Sequence, residues 1–202
     1  MDEQESREPS AWRSRVAAAA AVATLLVGGA GAAAWASQPA SAEHGPAHSR
    51  TASDTATVQR LADIEDIRQL KARYFRSIDS KQWSKLATLF TAHPTIDVGA
   101  KYSSGRELSE KTAALLGDAP SAHQGFLPEI KVNGNRASAI WAMEDYVSFP
   151  PGSTYKNGFH GYGEYHDTYK RINGHWYIDS TALSRFRVDT VPNWTPSSAP
   201  KK

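Results

Sequence analysis

Cysteine is absent from this 202-residue chain. That excludes a disulfide framework and a lipoprotein anchor, while remaining compatible with an oxidising compartment. An excess of one charge is also lacking, with 23 Lys+Arg against 21 Asp+Glu. Beyond residue 42 the balance is 20 to 17, and no basic stripe interleaved with aromatics appears, so nucleic acid is not an expected partner. No adjacent arginine pair precedes the apolar segment near the N-terminus, so a twin-arginine signal is unsupported. No glycine loop for phosphate is present. Gly161 and Gly163 flank Tyr162 within a strand pattern, where glycine marks a bulge or close packing. No serine-nucleophile motif and no internal repeat occur.

Residues 16–36 carry no charge and consist mostly of Ala, Val, Leu and Gly, with Arg13 and Arg15 just before them. Pro39-Ala40-Ser41-Ala42 follows, a small-residue pattern that suits signal peptidase cleavage after Ala42. The run is long enough to span a bilayer but only weakly hydrophobic, so residues 1–42 read either as a cleaved signal or as a membrane anchor. The preceding arginines favour export of the domain across the cytoplasmic membrane, secreted or anchored. Residues 43–57 read as a flexible linker, 58–192 as one domain and 193–202 as a loose tail.

Within the domain, Leu61, Ile64, Ile67, Leu70, Tyr74 and Ile78 recur at steps of three and four, the face of one helix ending near Ser80. A short second helix spans about 81–90, a brief strand 95–98, and a third helix about 104–117, with Gly117 as its stop. After Pro120 the pattern turns to long strands: 126–132, 136–149, 159–171 and 175–188, with hairpin turns at Asn133-Gly134 and Asn173-Gly174. Segregated helices and strands predict an α+β domain: three N-terminal helices packed on a curved antiparallel sheet that encloses a pocket.

In the strand 136–149 the odd positions are Ala137, Ala139, Trp141, Met143, Asp145, Val147 and Phe149. Asp145 thus falls in an apolar row. A carboxylate there is costly unless paired or protonated: it is a site group, or it is turned outward by a twist or bulge or paired with an arginine. Tyr74 and Asp79 close the first helix, as pocket groups or as a core aromatic and a turn residue. His160, Glu164 and His166 share a strand face, but their spacing matches no metal signature, and no metal is expected.

Arg73-Tyr74 with Asp79, Trp83, Leu89-Phe90, His123-Gln124, Ile130 to Asn135, Glu164 to Tyr169, Gly174 to Ile178 and Leu183 to Arg187 together resemble the nuclear-transport-factor-2-like superfamily. The likeness is to its SnoaL-like polyketide-cyclase and dehydratase branch, which includes scytalone and bile-acid dehydratases. The resemblance implies a cone-shaped α+β fold and a cofactor-independent lyase or isomerase acting on a hydrophobic, oxygenated small molecule, steroid-like or polyketide-like. A non-catalytic ligand-binding or interaction domain of the same fold is the alternative, and a homodimer fits either. Carried over by position, the resemblance assigns catalytic roles to Tyr74, Asp79, His123, Asp145 and Arg185. Trp141, Met143, Phe149 and Tyr165 are expected to form apolar walls. Arg185 differs in parity from Trp176 and Ile178, so it faces the pocket only if the last strand bulges, and Arg187 should then face the same way.

Overall fold

A computed structural model describes residues 47–150 and 152–193. The signal or anchor segment and the tail beyond 193 lie outside the described residues. Helix α1 runs Ala47–Asp79, followed by α2 (Trp83–Ala87), β1 (Phe90–Asp97), β2 (Lys101–Tyr102), α3 (Gly105–Leu116), β3 (Ser121–Asn133), β4 (Arg136–Val147), β5 (Gly158–Ile172) and β6 (His175–Val191). Three helices do precede the long strands. The segment expected as a linker is already helical from Ala47. Among the described residues, no helix is long and apolar enough to cross a membrane.

The apolar stripe of α1 explains its seating. Ile67, Leu70, Tyr74 and Ile78 are buried, and Phe75 joins them. Leu61 is 60 % exposed, so the helix docks only from about Asp63 onward, where that buried carboxylate accepts from Arg171 Nη1 (2.6 Å) and Trp176 Nε1 (3.2 Å). Helix α3 starts where the Ser104 hydroxyl accepts from the Glu107 amide and stops at Gly117, whose φ of +51° suits a residue without Cβ.

The six strands lie in the order β2-β1-β6-β5-β4-β3. Strands β3 to β6 form the expected antiparallel meander, but β1 runs parallel to β6, so the sheet is mixed rather than antiparallel. Phe90, expected at the end of the second helix, instead starts β1. The alternation read in β4 holds throughout: Ala137, Ala139, Trp141, Met143, Asp145 and Val147 are all buried between more exposed neighbours.

Strand β6 bulges twice. Ile178 pairs with Tyr169 and Ser180 with Thr168, leaving Asp179 as an extra residue. Trp176 and Ile178 therefore share the inner face with Thr181, Leu183 and Arg185. The condition set for Arg185 is met by this bulge. Arg185 pairs with Gly163 and Arg187 with Tyr162, leaving Phe186 as a second extra residue. The second bulge returns Arg187 to the outer face, where it contacts Asp189 (2.8 Å), so it does not face the way Arg185 does.

The glycines of β5 make room for this geometry. A Cβ on Gly163 would sit 2.1 Å from the Ser184 carbonyl oxygen and 2.9 Å from Arg185 Cα, both backbone atoms. Gly163→Ala is therefore expected to force the strands apart and cost about 1–3 kcal/mol. In calorimetry this should read as a Tm lowered by roughly 2–12 °C.

Candidate active site

Asp79 is the last residue of α1, at the negative end of the helix, where a carboxylate is disfavoured unless donors compensate. Three donors do so. The His123 amide donates to Oδ2 (2.8 Å), and the His123 ring nitrogen Nδ1 (2.7 Å) and the Ser121 hydroxyl (2.9 Å) both reach Oδ1. Lys81 Nζ in turn donates to Ser121 Oγ at 3.1 Å. An ionised carboxylate only accepts, so His123 carries its proton on Nδ1 and presents the Nε2 lone pair away from Asp79.

Nε2 lies 4.0 Å from Asp145 Oδ2, beyond hydrogen-bond reach. Asp145 is 1 % exposed, and Arg185 holds it with both Nη atoms, at 2.9 and 2.7 Å. Pairing with arginine, rather than an outward turn, is thus how the apolar row tolerates this carboxylate. Gly161 leaves the seat for the fork, since a Cβ there would meet Arg185 Nη1 at 1.9 Å and Asp145 Oδ1 at 2.4 Å.

His123, Asp145 and Arg185 line one inner cavity of about 140 Å³ together with Tyr74, Tyr165, Phe149 and Phe159. Leu108, Thr112, Leu115 and Leu116 of α3 also border it. Asp79 stands behind His123 and borders a wider groove between α1 and β3, which His123 borders as well. Of the expected apolar walls, Phe149 and Tyr165 border the cavity. Trp141 borders the groove instead, and Met143 is packed in the core. A cavity near 150 Å³ takes a benzene-sized molecule, so a single ring fills this one.

Burial raises the Tyr74 phenol well above its ordinary value, reinforced by the Asp167 carboxylate, so Tyr74 stays protonated as a donor. Tyr165, its hydrogen-bonding partner, and Tyr169 are raised for the same first reason.

Two buried groups on the inner face lie outside the expected set. Lys71, without solvent exposure, places Nζ 2.8 Å from Asp167 Oδ2. The two form a buried ion pair at hydrogen-bond distance. The Tyr165, Tyr74 and Phe75 rings cage the ammonium, with centroids 3.7, 4.7 and 5.1 Å away. Asp167 also accepts from Tyr169 Oη (2.6 Å) and Thr181 Oγ1 (2.7 Å). Desolvation holds the Lys71 pKa below its ordinary value, opposed by Asp167.

These shifts act with opposite signs at alkaline pH. The three phenols are neutral in both states below pH 10; above it the unfolded chain ionises them first, and stability falls. Lys71 keeps its proton longer when unfolded, so its contribution rises with pH and levels off near 10.5. Above about 10.5 only the phenol effect remains, and circular dichroism should show unfolding coincide with a step in tyrosinate absorbance.

On the outer face, His160 Nε2 contacts Glu144 Oε1 (2.5 Å), Tyr162 Oη approaches His160 Nδ1 (3.0 Å), and Tyr146 stacks on the ring. His166 pairs separately with Glu164 at 3.3 Å. Among the described residues, no group of three or more His, Asp or Glu is placed to hold a metal ion.

Helices on a curved, open, mixed sheet of six strands make a nuclear-transport-factor-2-like fold. Residues 59–182 match the family model described as a SnoaL-like domain, and the chain belongs to that family. Its fold is similar to a type-2 hexachlorocyclohexane dehydrochlorinase, LinA, with TM-score 0.62 and 15 % identity over 71 % of this chain and 99 % of that one. A type-3 LinA from Novosphingobium barchaimii gives TM-score 0.61 and 15 % identity, covering 69 % and 99 % of the two chains. A protein described as a putative scytalone dehydratase, from Novosphingobium aromaticivorans, gives 0.58 and 15 %, covering 71 % and 99 %.

Proposed function

We propose that the domain is a cofactor-independent lyase or isomerase that takes a carbon-bound proton from a small, neutral, hydrophobic molecule carrying oxygen or another leaving group. The observation that carries this is His123: Nδ1 is held by Asp79 at 2.7 Å while Nε2 lies 4.0 Å from Asp145, in a cavity wall that also holds a buried phenol and a fixed guanidinium. A histidine oriented by a carboxylate is a base suited to neutral pH. Nε2 would remove the proton, its electron pair would form the carbon–carbon double bond, and the group on the next carbon would depart. Tyr74 would donate to the departing or developing oxygen. Asp145 and Arg185 cancel in charge, which favours a neutral substrate over an anion. Fold relatives described as dehydrochlorinases and as a putative scytalone dehydratase, names that denote eliminations, support the same class of reaction.

The test uses 3-hydroxycyclohexanone, a single-ring probe whose dehydration gives an ultraviolet-absorbing enone. Turnover that depends on His123 supports the reading. Absence of turnover, together with absence of base-catalysed deuterium exchange into cyclohexanone, would favour a ligand-binding domain. We also place the domain outside the cytoplasmic membrane, on the strength of Arg13, Arg15 and the uncharged residues 16–36. N-terminal sequencing of the mature chain checks this: a start at Glu43 indicates cleavage, and an intact N-terminus in the membrane fraction indicates an anchor.

A further inference from the structure

We infer that Lys81 and Ser121 are positioning residues of the His123–Asp79 pair, so that the pair is the inner end of a four-residue chain beginning at the surface. The inference rests on the proposed reading of His123 as base.

Its first support is geometric. Lys81 Nζ donates to Ser121 Oγ (3.1 Å), Ser121 donates to Asp79 Oδ1 (2.9 Å), and His123 Nδ1 donates to the same oxygen (2.7 Å). Every bond in this series points toward the carboxylate. Ser121 has one hydroxyl proton, and Lys81, which only donates, obliges it to turn that proton toward Asp79. The lysine thereby fixes the serine, the serine fixes the carboxylate, and the carboxylate fixes which ring nitrogen of His123 is protonated.

The second support is independent and lies in the backbone. The end of α1 closes with Lys81 N donating to Ile78 O (3.1 Å) and Gln82 N donating to Ser77 O (2.7 Å). This double closure requires a left-handed residue at Lys81, whose φ is +58°. Glycine is the usual occupant of that position, because a Cβ is disfavoured there. A lysine accepts this conformation at a cost in stability, and what it supplies in return is an ammonium on Ser121 Oγ, beside Asp79. The charged groups facing Lys81 are Asp79 and Asp118, and the Trp83 ring lies 5.7 Å from Nζ. Its ammonium also complements the negative end of α1.

The two supports make opposite demands, and this gives the test. Lys81→Gly should relieve the backbone and keep the fold, with Tm unchanged or raised by about 2–4 °C, yet loosen the dyad. The readout is the tautomer ratio of the His123 ring, from nitrogen-15 spectra of the full-length chain labelled at histidine, with His123→Asn to assign its signals. Losing one ordering hydrogen bond should raise the minor Nε2–H tautomer about fivefold in Lys81→Gly and at least as much in Ser121→Ala. An unchanged ratio in both variants overturns the positioning role. A wild-type ring that is not protonated on Nδ1 overturns the underlying reading of His123 instead. The two failures are therefore distinguishable without knowledge of the substrate. A Tm that falls in Lys81→Gly by as much as in Ser121→Ala, with no tautomer change, would assign both residues a purely structural part.

Discussion

Asp167→Ala is expected to lower the stability of the domain by about 3–5 kcal/mol, the cost of leaving a buried charge without its partner. Lys71 would keep only ring faces around its ammonium, with Tyr165 3.7 Å away and no solvent access. Tyr169 and Thr181 would also lose the acceptor for their hydroxyls. The opposite removal is milder. Lys71→Met leaves Asp167 with both hydroxyl donors in place and fills most of the vacated volume with an apolar chain. The difference follows from the partners: without Lys71 the carboxylate keeps two hydroxyl donors, whereas without Asp167 the ammonium keeps only three aromatic faces. Thermal unfolding should show a Tm drop of roughly 6–20 °C for Asp167→Ala and a clearly smaller one for Lys71→Met. Equal drops would mean that the pair acts as a single electrostatic unit and that the hydroxyl donors contribute nothing.

The second large effect concerns chemistry. His123→Ala removes the base and should reduce elimination of 3-hydroxycyclohexanone on the order of 10²–10⁴-fold. Asp79→Asn should approach the same loss while leaving the ring in place. Three donors converge on the Asp79 carboxylate, and an amide offers only one oxygen to them. The ring would then turn or adopt the other tautomer, placing a proton where the lone pair is needed. A progress curve for Asp79→Asn indistinguishable from wild type would refute the orienting role. Arg185→Met, by contrast, leaves Asp145 buried and unpaired, so its loss of activity should be accompanied by loss of stability.

How much of this was legible in the sequence depends on the periodicity of each element. In β4 strict alternation showed Asp145 as a carboxylate in an apolar row, and the row is buried as read. The same signal was present elsewhere. Lys71 stands at helical spacing between Ile67, Tyr74 and Ile78, and Asp167 alternates with Tyr165 and Tyr169, so each announced a buried charge. Their meeting was not legible, because it depends on how α1 crosses the sheet. Ser121 and Lys81 carried no signal, since a serine opening a strand and a lysine after a helix are ordinary surface choices. The parallel seat of β1 beside β6 was hidden because β1 is short and its pairing partner lies far along the chain. Cavity size was hidden as well, since it depends on how closely α3 approaches the sheet.

The two extra residues of β6 bear on how relatives of this chain should be compared. Removing Asp179 or Phe186 would straighten the strand locally and leave each neighbouring side chain on its present face. Removing any residue between the two would turn Arg185 out of the cavity. Changes in chain length within this strand are therefore of two kinds, those at the bulges that keep the facing of the flanking side chains and those between them that reverse it. At about 15 % identity an ungapped alignment through β6 can set Arg185 opposite a residue of the other face in a relative. Gaps placed at positions 179 and 186, rather than in the flanking turns, keep functionally equivalent side chains in register across the family.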